Sequence, residues 1–133
     1  MKKLEFVLPL PPSMNHAFMR FRRKSNSGKT YLAQRRTSKA DEWYYNAIEY
    51  VSERIKLMGW QTTKEKKVVV DLDFKLYRRK ACDTHNTLKL LLDVLEKAGV
   101  YDNDYYALPR VNNFEVIKGV SKVKVTCYIL EEE

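Results

Sequence analysis

The sequence predicts an α+β domain: a mixed or antiparallel β-sheet with two main helices packed on one face. Apolar residues alternate with period two near the beginning, middle and end of the chain, as strands with one buried face require. Between those runs, two longer stretches carry apolar residues at helical spacing. A length of 133 residues suits one core, so residues 1–133 are expected to form a single domain.

Leu4 to Leu10 is an apolar, β-prone run that ends at the rigid Pro11-Pro12 corner. Ser13-Met14-Asn15-His16 follows as a polar turn. Residues 18–32 place Phe18, Phe21, Tyr31 and Leu32 around Ser25-Asn26-Ser27-Gly28, the pattern of a loose hairpin. Ser38 opens a helix carrying Ala40, Trp43, Tyr44, Ala47, Ile48, Val51 and Ile55 on one stripe. Asp41 completes a capping-box pattern with Ser38, and Gly59 stops the helix. Tyr44 and Tyr45 read as core and edge aromatics.

Lys67 to Tyr77 alternates as a half-buried strand, with Asp71 and Asp73 on its solvated face. A second helix is expected from Asp83 or Thr84 to Gly99, burying Leu88, Leu91, Leu92, Leu95 and Ala98. His85, Asn86, Lys89 and Asp93 fall on another of its faces by steps of three and four. Phe114 to Val120 and Lys122 to Leu130 are expected as closing strands joined by a short hairpin turn at Gly119 to Ser121. Strand order is not legible in these patterns.

Lys and Arg number 25 against 17 Asp and Glu, a formal net charge of +8. Nucleic acid is the first partner such a balance suggests, because neutralising phosphates releases counterions. A basic, solvated surface has the same composition. Cys82 and Cys127 form neither a C-x-x-C unit nor a disulfide framework, which fits a reducing cytoplasm. No stretch approaches a membrane span.

Within this basic chain, acids gather between Arg78 and Asp104. Arg78-Arg79-Lys80 precedes Asp83-Thr84-His85-Asn86; Lys89 follows one turn later, and Asp102-Asn103-Asp104 closes the loop after the helix. Asp83 reads as a helix N-cap or as a metal ligand. His85 reads as an exposed histidine or as a ligand beside it. Lys89 reads as a solvated lysine, pairing with Asp93, or as a cation for a scissile phosphate. Asp102 and Asp104 read as an acidic turn or as carboxylates returning toward Asp83. Arg20, Arg22, Arg23, Lys24 and Lys29 of the hairpin, with Arg78, Arg79 and Lys80, suit phosphate contacts.

The run from Arg78 to Asp93, with Ala98-Gly99-Val100 and Asp104, resembles the signature of RusA-type Holliday junction resolvases. Pro11-Pro12-Ser13-x-Asn15 after a strand resembles that family's N-terminal motif, so the likeness spans nearly the whole chain. The resemblance implies a small homodimeric, Mg²⁺-dependent endonuclease that nicks four-way DNA junctions symmetrically, with Mn²⁺ as a possible alternative cation. By position, it makes Asp83 and Asp104 metal ligands and Lys89 the essential lysine. Asn86 becomes the motif asparagine, and Asn15 joins the residues facing DNA. The family's second motif aspartate is His85 here, and imidazole is a poor ligand for Mg²⁺ but a good one for Mn²⁺. Asp102 then stands as the candidate for the missing carboxylate.

Overall fold

A computed structural model describes residues 2–12, 18–78 and 84–131 of the chain. Strand β1 (Leu4–Pro9) buries Leu4, Phe6 and Leu8 and turns Glu5, Val7 and Pro9 outward, following its alternation. Strands β2 (Phe18–Lys24) and β3 (Thr30–Arg36) pair antiparallel around Ser25 to Lys29, forming a two-stranded ribbon separate from the main sheet. Helix α1 (Ser38–Met58) follows, then β4 (Val68–Leu76). A 3₁₀ turn (Thr84–Thr87) leads into α2 (Leu88–Ala98), and a second one (Asp104–Tyr106) leads into β5 (Ala107–Val116). Strand β6 (Lys122–Ile129) ends the fold.

The sheet order is β1-β6-β4-β5. Strand β4 is parallel to β5 and antiparallel to β6, which is also antiparallel to β1. The predicted mixed sheet with two helices is therefore present. The core joins Leu4, Phe6 and Leu8 to Val70, Leu72 and Phe74, Val123 and Val125, and the inner stripes of both helices.

Three local expectations are corrected. The penultimate strand begins at Ala107 instead of Phe114, and it forms no hairpin with β6, because β4 lies between them. The β4–α2–β5 segment is a parallel crossover, so β5 starts beside the beginning of β4, and the following turn carries the chain past β4 to its other side. The cap of α1 is Thr37, whose hydroxyl accepts from Ala40 N–H at 3.2 Å; Asp41 is engaged elsewhere. The second helix is α-helical only from Leu88, and it buries Leu90 and Val94 besides Leu91 and Leu95. Leu88, Leu92 and Ala98 are only partly buried, because the stripe that packs into the core centres on Leu90, Leu91, Val94 and Leu95 and leaves them at its margins.

The registers place Pro9, Leu76, Val116 and Lys122 at one end of the sheet. Both helices begin at that end. Trp43 in the first turns of α1 donates from Nε1 to the Pro9 carbonyl at 3.0 Å, while its C-terminal Gly59 accepts from Lys2 at the opposite end. Helix α2 lies alongside in the same direction, with Asp93 beside Tyr44 and Ala98 beside Ser52. Two helix N-termini and three strand C-termini thus share one edge of the molecule, with partial positive charge from the helix ends.

Candidate active site

The 3₁₀ turn before α2 is tied internally: Thr87 Oγ1, fully buried, donates to the Thr84 carbonyl at 2.8 Å. This fixes the direction in which His85 and Asn86 leave the backbone. His85 and Lys89 are exposed and Asn86 and Asp93 half-buried. Lys89 and Asp93, one turn apart, form a polar row on one face of α2, while His85 and Asn86, expected on the same helical face, leave from the 3₁₀ turn just before it.

The row is anchored at Asp93. The Tyr44 hydroxyl donates to Asp93 Oδ2 at 2.6 Å. Tyr44 is a core residue, 3% exposed, yet its polar tip reaches the row through the contact between α1 and α2. The guanidinium of Arg36 lies 4.0 Å from the Tyr44 ring centroid, a close cation–π geometry. Arg36 Nε also donates to Asp41 Oδ1 at 2.6 Å. Tyr45, 59% exposed, meets Tyr44 edge-on and completes the expected core-and-edge pair.

These contacts set the local electrostatics. Burial, then the bond to Asp93, holds the Tyr44 phenol neutral well above its ordinary range. The bond to Asp41 raises Arg36 further, outweighing its partial desolvation. Arg36, the last residue of the basic ribbon, is therefore a fixed cation joining the ribbon to α1, and the Tyr44 beneath it carries the connection on to Asp93 of α2. Its part and that of Tyr44 were missed in the sequence. A tyrosine on a buried helical stripe needs an acceptor for its hydroxyl, and that requirement was the available signal.

The ribbon carries its charge on both faces. Register and alternation put Arg22, Lys24 and Arg36 on one face and Arg23 and Arg35 on the other. Arg22, Arg23, Lys24 and Lys29 are exposed. Arg20 stands in register with Gln34. Arg35 is held by Phe21, 5.6 Å from its ring centroid. Arg78 is exposed at the end of β4, 5.3 Å from the Tyr77 ring centroid. Asn15, Arg79, Lys80 and Asp83 lie outside the described residues.

Asp102 and Asp104 do not return toward His85. They follow α2, whose 11 residues span about 16 Å at 1.5 Å per residue. The Asp102 carboxylate accepts from Glu65 N–H at 3.3 and 3.4 Å, and its own N–H donates to Thr63 O at 3.0 Å. Asp104 N–H donates to Glu96 Oε1 at 2.9 Å, and Asn103 Oδ1 caps the following turn through Tyr105 N–H at 2.8 Å. Within one chain His85 therefore stands before the start of α2 and Asp102 and Asp104 beyond its end, while Asp83, the fourth residue of the expected site, lies outside the described residues. The crossover must deliver the chain to the start of β5, at the end of the sheet away from the polar row. Among the described residues no three His, Cys, Asp or Glu side chains gather to hold a metal ion.

Asp71 and Asp73 lie on the polar face of β4, half-buried instead of fully solvated. Lys75 Nζ lies 3.7 Å from Asp73 Oδ1 and 2.8 Å from Glu115 Oε1, so Asp73 and Glu115 share one cation across β4 and β5. Cys127 is buried in the core, and desolvation pushes its thiol up to about 12. No helix is long and apolar enough to cross a membrane among the described residues.

Comparison with known proteins finds neither a matching family model nor a matching curated protein.

Proposed function

We propose that this protein is a structure-specific DNA endonuclease of the RusA type, acting on four-way junctions as a homodimer with Mg²⁺ or Mn²⁺. The observation that carries the reading is the polar row Lys89–Asp93, with His85 in the turn before it. It is fixed by Tyr44 and Arg36 at the end of the sheet where both helices start and where the basic ribbon is rooted. That end combines helix N-termini, which favour phosphate oxygens, with dispersed Arg and Lys.

In this reading the ribbon residues Arg22, Arg23, Lys24 and Lys29, with Arg78, hold the DNA backbone without reading bases. A two-stranded ribbon also has the dimensions to enter a major groove. Lys89 lies one turn from His85 and directs its ammonium to the scissile phosphate, neutralising charge that builds during hydrolysis. A divalent cation, when bound, supplies a nucleophilic water and stabilises the leaving oxygen. Asp83 is its first proposed ligand. In this reading the carboxylates of Asp102 and Asp104 come from a second copy, because one chain holds them beyond the end of α2 away from His85. Two-fold symmetry of a junction matches a two-fold protein.

The same separation favours a second reading, a branched-DNA-binding protein with weak or no cleavage. A labelled four-way junction incubated with the protein in Mg²⁺ and in Mn²⁺ separates the two. Paired nicks abolished by Asp83→Asn support the endonuclease. Salt-sensitive binding without nicking in either metal supports the binder.

A further inference from the structure

The free edge of the sheet is β5, a 10-residue strand with no neighbour on its outer side among the described residues. The opposite edge, β1, is flanked by α1, and Trp43 occupies its Pro9 carbonyl. Among the described residues strand β5 has no such cover. Phe114 is 61% exposed, Val116 47% and Ile117 38%, and Tyr77 at the end of β4 is 42% exposed. Long, apolar free edges pair with other chains unless guarded, and the guard here is Pro109 near the beginning of the strand.

The outer edge can be read atom by atom. Ile117 N–H donates inward to the Leu76 carbonyl at 2.8 Å. Alternation then turns the N–H and C=O of Val116 and Phe114 outward. The register shifts between Leu72 and Asp73, so that Leu72 faces Val111 and Asp73 faces Asn113, leaving Asn112 as a bulge. The bulge returns Val111 to the same side and the same outward direction as Phe114 and Val116.

We propose that β5 pairs antiparallel with β5 of a second copy of this chain, Val111 opposite Phe114 and Arg110 opposite Glu115 across a two-fold axis at the bulge. In this register both bulges coincide. Val111 and Phe114 exchange backbone hydrogen bonds, and their side chains meet on the helix-covered face. Arg110 and Glu115, both exposed, meet with opposite charge on the polar face, where Glu115 already receives Lys75. Pro109 falls opposite Val116, where its carbonyl accepts but no N–H is available, so the ladder ends there. Without the bulge, the same pairs would lie on opposite faces of the sheet. The proposal names the surface for the homodimer reading above and rests on that reading only for its bearing on cleavage.

The test uses the full chain with Cys82→Ser. Arg110→Cys combined with Glu115→Cys is expected to give a covalent dimer on mild oxidation, since cysteines five residues apart on one strand cannot bridge within a chain. Arg110→Cys alone is expected to remain uncrosslinked. By sedimentation, Arg110→Glu is expected to weaken self-association at least tenfold, with Arg110→Glu/Glu115→Arg restoring it. Phe114→Asp, at an exposed position, is expected to keep the wild-type circular dichroism and yield monomer. A chain that stays monomeric at tens of micromolar, or crosslinks equally through Arg110→Cys alone, overturns the register. A crosslinked dimer that never nicks DNA supports the surface and counts against the nuclease; paired nicking by a chain that sediments as a monomer does the reverse.

Discussion

The Tyr44 hydroxyl and the Asp93 carboxylate, 2.6 Å apart, join the two helices through a buried aromatic and a half-buried acid. Neither helix alone would hold the polar row of α2 in place. With Arg36 against the Tyr44 ring, the base of the ribbon, α1 and α2 become one electrostatic unit.

Removing the hydroxyl by Tyr44→Phe is expected to cost roughly 1.5–3 kcal/mol, the range for a hydrogen bond to a charged group. Urea unfolding at neutral pH measures it. A cost below about 0.5 kcal/mol would show that the bond adds little over solvation of Asp93.

The alkaline limb of stability follows from the same group. Tyr44 holds its proton more tightly folded than unfolded, as does Tyr101, through burial first in both cases. Their contribution is complete below the ordinary tyrosine value of 10.0 and is lost as pH rises above it. Unfolding free energy should be unaffected by these groups up to about pH 9 and fall steeply beyond 10.0, more gently in Tyr44→Phe. Equal slopes in wild type and variant would remove Tyr44 from the account.

The ribbon should determine salt sensitivity. Each phosphate contact contributes a slope of about 0.9 in log K against log salt on duplex DNA. Replacing Arg22, Arg23, Lys24 and Lys29 together by Ala should lower that slope by roughly 3 to 4 if all contact phosphates. The ribbon is exposed, so unfolding temperature should change little. An unchanged slope would place the DNA elsewhere.

At the polar row, Lys89→Ala is expected to reduce nicking by about 10²–10³-fold, the usual scale for a lost charge-stabilising donor, while binding changes far less. His85→Asp is expected to raise the rate in Mg²⁺ relative to Mn²⁺, because a carboxylate oxygen suits the harder cation. The Mg²⁺-to-Mn²⁺ rate ratio reads this directly, and an unchanged ratio would remove His85 from the metal's surroundings.

Gly99 ends α2 at φ +101°, and a Cβ there would meet Thr62 Oγ1 at 3.3 Å. Gly99→Ala should cost at least about 1 kcal/mol through the left-handed backbone alone. Thermal unfolding of the variant measures it.

Much of the fold is written locally. Alternation in Lys67–Tyr77 states which face is buried, because side-chain direction repeats with the backbone period, whereas in Leu88–Ala98 the helical spacing located Leu91 and Leu95 but not Leu90 and Val94. The polar row Lys89–Asp93 follows from the same arithmetic, as does the pairing of Tyr44 as core with Tyr45 as edge. Net charge and the basic composition of the ribbon needed no structure. The late strand shows the limit: Phe114 to Val120 looked like half of a hairpin because its turn signal at Gly119 is real, yet the turn leads past β4.

What the tertiary structure decided is adjacency. Backbone carbonyls are common to every residue, and backbone N–H groups to every residue except proline, so sequence pattern alone does not specify that β4 lies between β5 and β6. That choice sends the chain after α2 to the far end of the sheet, carrying Asp102 and Asp104 away from His85. It also brings Arg36, Tyr44 and Asp93 together from three elements, since contact between their side chains depends on how the helices settle on the sheet. The sequence alone determined which residues are chemically able to act; packing determined which of them meet.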